Sequence, residues 1–522
     1  MSKPQVNDLE KETFTIYPNA EPRTESLQAT IAGKKYIKKF YEIEKPYAFA
    51  AVTENPTTHE KAYDVVEPTI TEKEMKQLEI IRNFLVDTLN VNLSDFNSRK
   101  EAGDYLTEKV KSIVKKCRLK MEEQSLNKIN YYLIRDYLGF GKIDVMMKDT
   151  SIEDISCNGA NSPLYIWHRE YESIPTNVSF ESDDELDALI TRLAYRSGKM
   201  VSMANPLLDA SLPDGSRIQM SYGKQVTKQG STFTIRKFRA DPLSIIDLIR
   251  LNTLSSEMAA LFWLLIENKC SLFVCGGIAS GKTTMLNCLS SFIKPDAKIV
   301  TIEDTPEIQL YHKNWIRSVT RPTTKADTDI SMFTLLKSAV RQRPDYIIVG
   351  EIRGEEAYTL FQAMATGHLG LATLHAESAN AAINRLETKP MDIPRKLVAG
   401  LNIITIQERV ERNRMPLRRT MSATEIVGLD PKNGEVITNE IFKWNSGSDS
   451  YVQTEKSHYL KKISAKTFKS EEEIGKEIEV RKAVLEWMVT RGTRSFKEVS
   501  TVIRNFEATP EDFYKMFEDG KI

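Results

Sequence analysis

Three things are scarce in this chain of 522 residues: cysteine, long apolar runs and an excess of charge of either sign. The five cysteines, at 117, 157, 270, 275 and 288, are odd in number and form no CxxC pair. That excludes a disulfide frame and a cysteine-built structural zinc site. Cys270 and Cys275, the nearest two, read as buried thiols. The densest apolar run, "MAALFWLLI" (258–266), falls well short of the ~20 residues a bilayer span needs. The opening stretch "MSKPQVNDLEKETF" has no apolar core of a signal peptide. A cytoplasmic location is expected, with any membrane association made through a partner. Lys plus Arg equals Asp plus Glu at 72 each. The basic surplus of a nucleic-acid coat is therefore missing, and nucleic acid is not an expected partner. The sequence shows no internal repeat and no low-complexity tract.

What is present divides into several segments, because the length exceeds what one hydrophobic core supports. Residues 1–130 are expected to form a partly helical, partner-docking region. Its first part reads as short strands and turns. "TEKEMKQLEIIRNFLVDTL" and "DYLTEKVKSIVKKCRLKM" then place apolar residues at three- and four-residue steps. The basic run "KVKSIVKKCRLK" (109–120) reads as one solvated helix face. Residues 131–240 read as a small α+β (PAS-like) domain, with strand candidates "LYIWHREYESI", "RIQMSY" and "STFTIRKF" around the helix "SDDELDALITRLAYRSG". Ser182, or the acids after it, should cap that helix. Residues 241–255 are expected to be a hinge. From 256 to 445 strands and helices alternate, as in a parallel sheet. Residues 446–522 form a charged helical extension. The expected fold class is α/β: a RecA-like P-loop domain behind a smaller α+β domain and a helical N-terminal region.

The chemistry is concentrated in the alternating segment. In "SLFVCGGIASGKTTMLNCL" an apolar strand, Leu272 to Cys275, runs into a glycine-rich loop and then an apolar-periodic helix. Gly276, Gly277, Ser280, Gly281, Lys282, Thr283 and Thr284 are the expected phosphate-binding residues. Glycine lets backbone N–H groups turn inward around phosphate oxygens, and the helix N-terminus adds partial positive charge. Lys282 should reach the outer phosphates, and the Thr283 hydroxyl should ligate magnesium. The implied cofactors are ATP and Mg2+. Next, "AKIVTIEDTPEIQL" carries a strand, Lys298 to Ile302, into Glu303 and Asp304, with Glu307 in the following turn. In "RQRPDYIIVGEIRGEEA" a strand delivers Gly350 and Glu351. In "ATGHLGLATLHAES" another brackets His368 and His375. Ligands gather at the C-terminal ends of parallel strands.

These four blocks, in this order, resemble the secretion ATPase superfamily that powers type II secretion, type IV pili and the archaellum. They correspond to its P-loop, "Asp box", Walker B and "His box", and the resemblance covers roughly 130 to 425. In that family the Walker B strand ends normally in Gly-Glu. Gly350 then leaves room beside the phosphates, and Glu351 helps hold magnesium and its water. The resemblance makes Glu303 a partner in orienting or deprotonating the attacking water, and either acid can serve as general base. It makes His375 a sensor near the γ-phosphate and His368 a weaker one. It also implies arginines brought to the phosphates from the preceding domain: Arg217 and Arg236, with Arg239 close behind. Arg341 and Arg343 are weaker candidates. The implied partners are five further copies in a homo-hexamer and a polytopic membrane platform protein. Relatives in bacteria often carry a four-cysteine zinc module. This chain has none, and its "SLPDGSRIQ" and charged helical tail look more like the archaeal branch that drives archaella or pili, with pseudopilus-type secretion as the alternative. A nucleic-acid motor and a weakly hydrolysing nucleotide switch share the same core. The neutral charge weighs against the first, and the intact Lys282, Glu303 and Glu351 weigh against the second.

Overall fold

The computed structural model describes residues 36–88, 96, 98–238, 241–321, 329–412 and 415–522. They divide into two compact units, with the division after Phe238.

The first unit is built on a sheet of nine strands in the order β1-β2-β3-β6-β5-β4-β9-β8-β7. These are β1 Tyr36–Glu44, β2 Ala48–Glu54, β3 Lys61–Val66, β4 Ile152–Cys157, β5 Pro163–His168, β6 Glu172–Ser179, β7 Leu207–Ser211, β8 Arg217–Ser221 and β9 Thr232–Arg236. The Asp183–Arg196 helix packs on the sheet through Leu186, Leu189, Ile190 and Leu193, and Ser182 caps it by accepting from the Glu185 N–H. A boundary at 130/131 is not a break in this unit. Tyr63 on β3 pairs in parallel with Thr176 on β6. Ala48, Ala50 and Val52 share one core with Ile152, Ile155 and Ile190. The buried Asp149 carboxylate accepts hydroxyl hydrogen bonds from Tyr41 (2.6 Å) and Tyr63 (2.8 Å). Three helices, Glu72–Thr88, Arg99–Lys116 and Glu123–Tyr137, form a satellite core around Leu78, Ile81, Leu106, Val110 and Leu133. Lys111, Lys115 and Lys116 of the basic run are exposed on the middle helix, whose Ala102, Leu106, Val110 and Ile113 are buried, and the rest of the run continues past the helix end.

The second unit also carries nine strands, in the order β12-β11-β13-β14-β10-β15-β16-β17-β18. They are β10 Leu272–Gly276, β11 Ile299–Glu303, β12 Trp315–Val319, β13 Tyr346–Val349, β14 Leu369–Leu374, β15 Ile403–Arg412, β16 Met415–Leu429, β17 Val436–Asn445 and β18 Ser450–Gln453. From β12 to β15 every pairing is parallel, and from β15 to β18 every pairing is antiparallel. Strands buried on both faces read as continuous apolar runs rather than alternating ones. β10, β11, β13 and β14 are buried along their whole length. This is the expected α/β P-loop core.

Two expected boundaries move. The 241–255 hinge is folded into this unit: Ser244 and Asp247 form a capping box, and Ile245, Ile246 and Leu254 are fully buried. The C-terminal stretch is no appendage. The apolar run at 258–266 forms the Ser256–Glu267 helix, which is hydrophobic all round and so must be covered on every side. Val480, Val484, Leu485 and Met488 of the Glu471–Arg491 helix, with Phe506 beyond it, join the same core as Phe262 and Trp263.

Arg481 fixes that contact. It is 6% exposed, lies 5.7 Å from the Trp263 ring centre and forms ion pairs with Glu267 and Glu477. Burial pushes the Glu267 carboxyl up, and Arg481 opposes that shift. Removing one partner of a buried ion pair leaves an uncompensated charge. Arg481→Ala should therefore destabilise the second unit by about 3–5 kcal/mol, read as a lower denaturant midpoint.

Candidate functional site

β10 ends at Gly276, and the Lys282–Ser290 helix follows with Gly281 as its left-handed N-cap (φ +90°). A side chain at Gly276 is impossible: its Cβ would stand 2.2 Å from the Gln407 carbonyl oxygen, and φ is +150°. The loop is braced internally. The Ser280 hydroxyl donates to Gly277 O (2.9 Å), and the Lys282 ammonium donates to the same carbonyl (2.7 Å). Thr283 and Thr284 occupy the first turn of the helix, half-buried. Hydroxyls and free N–H groups thus gather at a helix N-terminus, the arrangement that favours an anion.

β11, β13, β14 and β10 are neighbours and parallel, so their C-terminal ends open on one edge of the sheet. That edge collects Glu303, Glu351, His375 and the phosphate loop. Glu303 closes β11 and is 1% exposed. Its Oε1 accepts from the N–H groups of Glu307 (2.7 Å) and Ile308 (2.8 Å), while its Oε2 is buried with no hydrogen-bond partner. Burial pushes its carboxyl up to about 7, against the two N–H groups and Arg317, whose Nε lies 3.9 Å away. Gly350 serves Glu303 directly: a Cβ there would meet Glu303 Cγ at 3.2 Å. The space at Gly350, expected to lie beside the phosphates, is filled by a catalytic candidate of the neighbouring strand.

Glu351 follows β13. The Arg353 guanidinium donates to its Oε2 (2.5 Å), and His375 Nε2 lies 3.0 Å from its Oε1 without hydrogen-bond alignment. Burial opposes ionisation of Glu351, yet Arg353, His375 and Lys282 together hold the carboxyl below its usual range. His375 follows β14, with its Nδ1 3.4 Å from Lys282 Nζ. Burial and the Lys282 charge push its pKa down, so the ring is neutral at pH 7. Lys282, His375 and Glu351 thus form one chain of contacts across three strand ends.

Other candidates lie elsewhere. His368 sits at the opposite end of β14, beside Ala363 O (3.2 Å) and the Thr366 hydroxyl (3.3 Å). A strand of that length puts it about 20 Å from His375. Arg341 ends the Met332–Arg341 helix and Arg343 lies in the turn entering β13, both at the far end of that strand from Glu351. Arg217 and Arg236 belong to the first unit, directly opposite each other on β8 and β9, with Asp154 across from Arg236 on its other side. Arg239 lies outside the described residues. The sequence reading missed Arg353 and Arg317. Arg353 stands inside the quoted Walker B block, so its spacing from Glu351 could have drawn notice. Arg317 is on edge strand β12, and only the sheet order brings it near Glu303.

The profile of the type II/IV secretion system protein family matches residues 139–489. A protein of Methanocaldococcus jannaschii described as uncharacterized is 34% identical over 508 residues, which is 92% of this chain and 91% of the relative. The chain therefore belongs to the type II/IV secretion system protein family, a group of secretion and motor ATPases. Among further relatives, a probable conjugal transfer protein, TrbB, of Sinorhizobium fredii is 31% identical over 280 residues, 52% of this chain and 83% of the relative. Of solved structures, the ATPase DotB of Legionella pneumophila matches with a TM-score of 0.41 at 14% identity, covering 74% of this chain and 96% of that one.

The raised Glu303 carboxyl has a consequence for stability. Its folded pKa, about 7, exceeds the ordinary value of roughly 4.3. The folded form then binds the extra proton between these values, so this contribution is complete below about pH 4 and is lost as pH rises through 7. Unfolding followed across that range should show the fall in wild type, and Glu303→Gln should flatten it.

Proposed function

We propose that the protein is a magnesium-dependent ATP hydrolase, a cytoplasmic homo-hexamer at the inner face of the cell membrane. It powers assembly of a type IV pilus-like filament, such as an archaellum or archaeal pilus, by acting on a polytopic platform protein. The observation that carries this reading is the gathering of Lys282, Glu303, Glu351 and His375 at one end of four adjacent parallel strands. Family membership supports it, and the Methanocaldococcus relative spanning nearly the whole chain favours the archaeal branch. Among the described residues no helix is long and apolar enough to cross a membrane, and the proposed platform is a separate, membrane-spanning protein.

Each residue has a task. Lys282 neutralises the outer phosphates, and the amides from Gly276 to Thr284 cradle them. The Thr283 hydroxyl and Glu351 carboxylate are hard oxygen donors that fit magnesium and would hold it beside the phosphates. Bound there, the ion would neutralise charge developing on the phosphoryl group. Glu303, with one oxygen pinned by backbone N–H groups and the other unpartnered, takes the proton of the attacking water. A pKa near 7 suits that work. Neutral His375, between Lys282 and Glu351, senses the outer phosphate. Arg217 and Arg236, both always charged, complete the site of a neighbouring subunit.

A second reading, a motor for secretion rather than filament assembly, is favoured by the conjugal transfer relative. It expects the hydrolysis rate to respond to a secreted substrate. Stimulation by DNA would move the reading further, to a nucleic-acid motor.

Phosphate release and nucleotide binding test the chemistry. Lys282→Ala should abolish hydrolysis, and Glu351→Gln should bind ATP but turn over about a hundredfold more slowly. Wild-type turnover in Glu351→Gln would refute its assignment. Arg217→Ala should hydrolyse roughly 10³-fold more slowly. Mixing it with Lys282→Ala subunits should restore activity at interfaces that pair an intact loop with an intact arginine. Normal hydrolysis by dilute, monomeric Arg217→Ala would end the shared-site mechanism.

A further inference from the structure

The β15–β16 hairpin lies outside the four motifs, yet it forms one wall of the phosphate loop. β15 pairs with β10 in parallel, with Gln407 opposite Gly276, and the Gln407 carbonyl occupies the space a Gly276 side chain would need. Two positions further along, Arg409 on β15 stands directly opposite Arg418 on β16. Partners in an antiparallel pair share a face. The face is the one toward the loop. Arg418 Nε donates to Ala279 O (3.3 Å), and Arg418 Cδ would stand 3.3 Å from a Cβ on Gly281. Ala279 is itself in the left-handed region, φ +57°, a conformation that costs energy outside glycine and so needs support from its surroundings. No carboxylate pairs with Arg418 among the described residues, whereas the next residue, Arg419, is clamped by Asp449.

An arginine that holds the phosphate loop through its Nε, with no carboxylate partner among the described residues, makes sense if an anion lies against it. We propose that Arg418, assisted by Arg409, is a phosphate-contacting residue of the nucleotide site, supplied by the hairpin rather than by any of the four motifs. The inference rests on the nucleotide-binding reading of the P-loop. Nε holds the loop carbonyl, which orients the planar fork and leaves both Nη groups for phosphate oxygens. Lysine lacks that fork and cannot do both tasks at once.

The test uses the full chain, with magnesium–ADP binding measured by calorimetry and inorganic pyrophosphate as competitor. Arg418→Ala should weaken ADP and pyrophosphate alike, by about tenfold or more, as expected for loss of a charge-assisted hydrogen bond. The KM for ATP should rise by more than kcat falls, and Arg418→Lys should recover part of the affinity. Arg409→Ala should weaken both ligands by a smaller factor, and it keeps the question answerable if Arg418→Ala does not fold. Unchanged affinity in the folded variants overturns the inference while leaving the P-loop reading intact. Weaker ADP binding with unaltered pyrophosphate overturns it too, since the contact would then be to base or ribose. If Lys282→Ala binds ADP as well as wild type, the P-loop reading fails and this inference fails with it.

Discussion

Parallel pairing of β11, β13, β14 and β10 decides where everything else in the second unit can go. A parallel strand must be re-entered from the same end, so each crossover returns the chain over a face of the sheet and each strand finishes on the same edge. Glu303, Glu351, His375 and the phosphate loop come from four separate stretches of sequence, and only this shared direction brings them together. β10, β11, β13 and β14 are buried along their whole length, so they can be apolar throughout with polar groups gathered at their ends.

That burial also sets the electrostatics. Glu303 is closed off from water, and its proton is held by desolvation against two N–H groups and a distant arginine. Glu351, a strand away, is less buried and lies in the field of Arg353 and Lys282, so it stays ionised. Two carboxyl groups of the same ordinary acidity are thereby driven apart by their surroundings, the separation that the proposed roles of proton acceptor and metal ligand require. Arginine is used in a different way. Arg217 with Arg236, and Arg409 with Arg418, each occupy directly opposed positions on paired strands. Each rung sets two guanidinium groups side by side on one face of its sheet.

The four motifs could be read in the sequence because each task restricts residue type over a short span: glycines before Lys282-Thr283, or an apolar strand ending in Gly350-Glu351. What could not be read depends on distant pairing. β1 to β3 join the first sheet through a single parallel contact, Tyr63 with Thr176, and nothing local to residue 63 announces it. The C-terminal helices look charged and solvated from 471 to 482, yet their apolar seam at Val480, Val484 and Met488 belongs to the core of the phosphate-binding unit. Arg418 gives no local sign, because its relevance follows from β15 lying next to β10. Ser182 was legible as a helix start because a capping hydrogen bond is made within one turn.

The seam between the Ser256–Glu267 helix and the Glu471–Arg491 helix has a consequence during biosynthesis. Glu267 and Arg481 are 214 residues apart. A ribosome adding about 5–20 residues per second takes roughly 10–40 s to cover that distance. Throughout that interval the helix bearing Phe262 and Trp263 has emerged without its cover, and β10 and the nucleotide loop have no finished core behind them. The first unit contains all of its own strands and can fold as it leaves the tunnel. Until its last helices arrive, the nascent second unit keeps the apolar faces of the Ser256–Glu267 helix, Phe262 and Trp263 among them, without the side chains that cover them in the folded core.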